Sequence, residues 1–142
     1  MSAKSNYLEK AVLDHVLGTS AMSSPTVYLS LYTSNPAEDD SGNELSGNGY
    51  ARQAVSFATA TTETASGDNL GKGKALGPTV AKDFTANGGN WGTVTHFGLH
   101  DGATAGGSPD NLLYFGQLSE DKLIEDGDTL RFAVSSITIF ED

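Results

Sequence analysis

Two apolar runs on either side of a glycine-rich break, at residues 90–118, constrain the fold more than any other part of the chain. They read Asn-Trp-Gly-Thr-Val-Thr-His-Phe-Gly-Leu-His-Asp and, after the break, Asn-Leu-Leu-Tyr-Phe-Gly-Gln-Leu. Side chains of an extended strand alternate between its faces, so Thr95, Phe97 and Leu99 share one face and Val94, His96, Gly98 and His100 the other. That pattern predicts a strand with one core-ready face. Residues 112–118 are apolar at nearly every position, which suits a strand buried on both faces. The break at 101–111 is rich in residues that tolerate unusual φ, so the whole reads as a β-hairpin with Trp91, the single tryptophan, at its entrance.

The same reasoning extends outward. Residues 26–33 alternate, with Val27, Leu29 and Leu31 opposite Tyr28, Ser30 and Tyr32, and prolines at 25 and 36 punctuate both ends. Residues 50–58 predict a second strand with Val55 and Phe57 toward the core and Arg52 and Ser56 away from it. Residues 59–77, rich in Thr, Ala and Gly, are expected to form a long exposed connection, and 79–85 a strand whose one large apolar residue is Phe84. Residues 119–127 form a charged segment. In the last strand, 128–140, Leu130, Phe132 and Val134 keep one phase and Ile137 and Ile139 the other. A bulge or bend near Ser135-Ser136 must therefore carry the chain from one sheet to another.

One helix is expected near the N-terminus, within residues 5–18. Asn6 can cap it, Glu9 stands three residues on, and Gly18 can end it. Leu8, Ala11, Val12, His15 and Val16 follow helical spacing, while Leu13 and Leu17 widen the apolar stripe beyond one contact. The helix docks either on its own domain or on a neighbouring subunit. With 17 glycines and no βαβ alternation, the expected architecture is mainly β. It is an antiparallel β-sandwich or flattened barrel of six to eight strands at residues 26–142, in a single domain spanning 1–142.

Composition narrows the function. A net charge of -10 repels a nucleic-acid backbone or an anionic membrane surface, and mean hydropathy of -0.27 with no long apolar run leaves no spanning helix. The expectation is no nucleic acid and no membrane. Without cysteine there are no disulfides and no thiolate chemistry. The N-terminus lacks the apolar run of a secretory signal, so synthesis and retention in a cytosol are expected.

No reactive constellation stands out, and no catalytic residue, cofactor or metal is predicted. On a strand, four-residue spacing puts the rings of His96 and His100 ~13 Å apart, too far for one ion. In residues 39–50, Glu44 stands where a calcium loop has its glycine and Tyr50 where it has its bidentate acid. Residues 67–74 fall one short of a phosphate loop, and no Gly-x-Ser-x-Gly elbow exists.

Residues 27–36 (Val-Tyr-Leu-Ser-Leu-Tyr-Thr-Ser-Asn-Pro), 49–57 (Gly-Tyr-Ala-Arg-Gln-Ala-Val-Ser-Phe), 91–101, 111–118 and 127–132 (Gly-Asp-Thr-Leu-Arg-Phe) appear in an order that spans nearly the whole chain. In this the chain resembles a family of small tailed-bacteriophage virion structural proteins, whose members are called tail fibre or virion structural proteins. It departs from them by a longer connection at 68–82.

The resemblance implies a virion location after synthesis in the host cytoplasm, and it brings no catalytic residues. Heptads, collagen triplets and β-helical repeats are all missing, so this chain is no fibre shaft by itself. The expected role is a non-enzymatic module that forms a homo-oligomer and binds other virion proteins, major capsid or tail subunits. It would cement or decorate the capsid or dock at the tail or baseplate. The contacts expected are Tyr7, Leu8, Val12 and Val16 of the helix, with Trp91 and Tyr114. The alternative is a tail-associated receptor- or glycan-binding module acting through loops 37–49 and 101–111.

Overall fold

The computed structural model describes residues 2–141. Met1 and Asp142, the outermost positions of the expected domain, lie outside the described residues. The chain runs β1 (Ser2–Lys4), α1 (Asn6–Val16), β2 (Val27–Tyr32), β3 (Gln53–Val55), β4 (Thr61–Thr62), β5 (Gly73–Gly77), β6 (Lys82–Thr85), β7 (Gly92–His100), β8 (Leu112–Ile124), β9 (Thr129–Phe132) and β10 (Ile137–Glu141). All pairings are antiparallel: a five-stranded sheet ordered β1-β8-β7-β2-β3, a three-stranded sheet β10-β5-β4, and the pair β6-β9. Among the described residues the fold is mainly β with one N-terminal helix, as expected; nine strands lie within 26–142, against about six to eight foreseen there, because several are only two or three residues long.

One core joins the three sheets. Leu29, Leu31, Val94, Phe97 and Leu99 of the large sheet meet Phe84, Leu130 and Phe132 of the pair and Ile137 and Ile139 of the smaller sheet. Phe84 packs edge-on against Phe132 at a centroid distance of 6.0 Å. Val94 and Phe97 share this core despite opposite parity. Val94 pairs with Lys122 and His96 with Gln117, so four residues of β8 stand against one of β7, and the phase shifts at that bulge.

Four expectations need correction. Residues 59–77 are no free connection, because they contain β4 and β5, and β5 pairs along its full length with β10. Residues 119–124 continue β8. Val134 is exposed, since the bend sits around Ser135, a non-glycine residue at φ 59. The helix cap is Ser5 in place of Asn6: its side chain accepts from the Leu8 amide at 3.2 Å and its hydroxyl donates to the Leu112 carbonyl. The predicted crossing between sheets is present, with β9 paired to β6 and β10 to β5.

Candidate functional site

Strand alternation points Arg52 outward, yet its side chain is only 2% exposed. Short loops fold over it from both sides. Arg52 donates to both oxygens of Glu44 (Nε to Oε1 2.8 Å, Nη2 to Oε2 2.7 Å), and through Nη1 to Asp110 Oδ1 at 2.6 Å and the Gly102 carbonyl at 2.9 Å. A bidentate guanidinium–carboxylate pair fixes orientation as well as charge. Tyr50 adds a donor to Glu44 Oε1 at 2.7 Å. The result is a clasp tying the 36–44 loop, the approach to β3 and the 101–110 loop together.

His100, fully buried, completes the clasp. The Tyr32 hydroxyl donates to Asp40 Oδ1 at 2.6 Å, so at the 3.0 Å contact between Tyr32 and His100 the imidazole Nε2 must be the donor. Nδ1 is then a bare acceptor 3.4 Å from Asp110 Oδ1, an approach without hydrogen-bond geometry. Burial, and after it the Arg52 charge, hold the His100 pKa below the ordinary histidine value. Burial raises Asp110, but its bonds from Arg52 and the Gly106 amide outweigh that and keep it below the usual carboxylate range. For Arg52, burial lowers the pKa and the hydrogen bonds to Glu44 and Asp110 more than reverse it. The carboxylates of the clasp are all engaged by internal donors, so its work is positional.

What it positions is a wall. The 101–109 loop, residues 21–26, Tyr28 and Tyr7 enclose a groove of about 670 Å³ beside α1. Further along α1 and at its end, Leu13, Val16 and Leu17 stand 59%, 71% and 73% exposed. Their i,i+3 and i,i+4 spacing makes them neighbours, so they form one continuous apolar patch at the helix C-terminus. The helix is anchored below by Leu8 and rests on β8.

The residues expected to make contacts are spread over this framework. Tyr7 and Val16 are exposed, and Val12 is half-buried. Leu8 is buried beneath α1, and Trp91 is buried in the core with Nε1 donating to the Asn48 carbonyl at 2.9 Å. Tyr114 is half-buried and its hydroxyl bonds Glu141. Trp91 stands beside Gly92, which pairs with Ile124, whereas Tyr114 pairs with Leu99 toward the other end of the ladder. The six therefore do not form one surface. Leu13 and Leu17 join Val16 and were marked by the excess width of the apolar stripe; Arg52 and His100 carried no local signal.

The chain matches the family model described as "Podophage GP4 fiber I protein gp80" over residues 3–140. No curated protein matches it.

Proposed function

This chain belongs to the podophage GP4 fiber I protein gp80 family, a phage virion structural family, and on that premise we propose a specific role. It is a non-enzymatic docking module of the tail fibre apparatus, and it seats the C-terminal half of α1 on a neighbouring virion subunit. The observation that carries this reading is the patch of Leu13, Val16 and Leu17, large apolar side chains left in solvent on an otherwise well-anchored helix. Helix faces of this kind recognise grooves through residues at i, i+3 and i+4. The contact is repeated in every copy, so modest individual affinity becomes firm attachment. Among the positions on a particle, the fibre description of the family favours the tail over the capsid.

The test is Leu13→Asp with Leu17→Asp. Both side chains are solvent-facing, so the variant keeps its thermal midpoint but is missing from purified particles assembled in its presence. Normal incorporation of a folded double variant would refute the reading.

A second reading has its own observation. The groove between α1 and the 101–109 loop is bordered by Tyr7 and Tyr28, aromatic rings of the type that sugars stack on, and the clasp fixes one of its walls. In that reading the module binds a host glycan there. Loss of host-cell binding by Tyr7→Ala with particle incorporation intact would favour it over subunit docking.

A further inference from the structure

We infer that an apolar pocket between the two larger sheets receives the indole ring of a tryptophan carried by another virion protein. The pocket has a volume of about 270 Å³. Small side chains create it. Ile139 pairs with Ala75 and Glu141 with Gly73, and directly paired residues share a face, so beside the core residue Ile139 the smaller sheet offers only a methyl group and a hydrogen. At Gly77, on that same face, the space is taken by the Phe57 ring, 2.6 Å from where a Cβ would stand, whereas a Cβ at Gly73 would meet only Glu141, at 3.7 Å. The large sheet contributes Val27, Leu99, Leu113 and Tyr114. Leu99, Leu113 and Ile139 are buried, but Val27, Phe57 and Tyr114 around them stay half-buried, so the core is left partly uncovered here.

Size and rim select the occupant. An apolar cavity of about 150 Å³ holds a benzene ring, so this one has room for a fused bicyclic ring. Both charged residues of the lining are paired: Glu141 holds Lys4 at 2.9 Å, and Lys74 is held by Glu63 at 2.9 Å. Such a rim does not select an ion. The Glu141 carboxylate, which also accepts from the Tyr114 hydroxyl, can still serve as acceptor for one further N–H donor. An apolar bicycle with a single donor is an indole. A second copy of this chain cannot supply it, because the single tryptophan, Trp91, is buried with its Nε1 bonded to the Asn48 carbonyl. The partner is therefore a different protein, and a virion structural family has such neighbours. A buried aromatic anchor in a pocket is the kind of contact that dominates an interface. The site shares no residue with the α1 patch and does not depend on it.

The experiment uses the full chain with isotope-labelled methyl groups and N-acetyltryptophanamide as the probe. Titration should shift the methyl signals of Val27, Leu99, Leu113 and Ile139 saturably, with a Kd on the order of millimolar, since a single ring buries little area. The N-methylindole analogue, which has no N–H, should bind about three- to tenfold more weakly, one hydrogen bond's worth. Ala75→Leu fills the pocket and should abolish the shifts with the thermal midpoint kept. Leu13→Asp with Leu17→Asp should leave them unchanged, which separates this site from the α1 patch. In assembled particles, a benzophenone side chain placed at the exposed position of Ala60 should crosslink, on irradiation, to a tryptophan-containing segment of another virion protein. Absence of methyl shifts up to about 20 mM probe, shifts that survive Ala75→Leu, or equal binding of the N-methylindole analogue would each overturn the proposal. So would a crosslink made only to a second copy, or to a segment without tryptophan. Tighter binding of octanoate than of the tryptophan amide would also overturn it, and would identify the pocket as a fatty-acyl site.

Discussion

Removing the Arg52 guanidinium, as in Arg52→Ala, should be among the most damaging single changes available in this chain. The side chain is 2% exposed and its partners Glu44 and Asp110 are 13% and 19% exposed, so the substitution leaves two nearly buried carboxylates without their counter-charge. Breaking a buried ion pair by deleting one partner costs about 3–5 kcal/mol. Here Glu44 keeps the Tyr50 hydroxyl and Asp110 keeps the Gly106 amide, which puts the expected loss near the lower end, about 3 kcal/mol. Urea unfolding should register this as a midpoint lower by roughly 1–2 M with little change of slope. Hydrogen exchange should also quicken first in the 101–110 loop, which loses the Arg52 bond to the Gly102 carbonyl. The loss must depend on pH. Asp110 has a folded pKa lowered from 3.8, so its stabilising contribution is complete above that value and is lost as pH falls through the folded value. The gap between wild type and variant should therefore narrow in the acid range below 3.8. A loss under about 1 kcal/mol, or a gap unchanged by acid, would refute the clasp as a source of stability.

Three further outcomes are expected. The folded pKa of His100 is lowered from 6.5, so the unfolded chain binds the extra proton and stability should fall as pH drops below 6.5. His100→Asn should flatten that limb of a stability–pH curve, and a rise in stability on acidification would show that folding raises the His100 pKa, against this reading. Gly98→Ala places a methyl 2.6 Å from Ser30 Oγ and 2.9 Å from the Tyr32 ring, so thermal unfolding should show a loss of about 1–3 kcal/mol. Ser135→Gly relieves a left-handed residue at φ 59 and should gain up to about 1 kcal/mol by the same assay, whereas a loss would show that the serine side chain holds the bend.

Legibility from sequence followed the range of the forces involved. The β7–β8 hairpin and the helix are local, and alternation or helical spacing announced them. The crossing between sheets at Ser135 was equally visible, because Leu130 and Phe132 on one phase and Ile137 and Ile139 on the other cannot both face a core without a break. β5 was not visible. Its residues Gly73–Gly77 include no β-branched or aromatic side chain, and its strand character comes from β10, more than fifty residues later. Val134 was misplaced because alternation was carried one residue pair too far toward the bend. Arg52 was assigned to solvent by an alternation that holds locally, while Glu44 and Asp110 reach it from loops on either side. Nothing in the neighbourhood of residue 52 encodes that encounter.

The plainness of β5 has a use during synthesis. A ribosome adding ~5–20 residues per second delivers β5 several seconds before β10, the strand it pairs with along its whole length. An orphan strand rich in valine, isoleucine or phenylalanine would be sticky throughout that wait. Gly-Lys-Ala-Leu-Gly is not, and its bland composition spares each new chain from finding a sibling first.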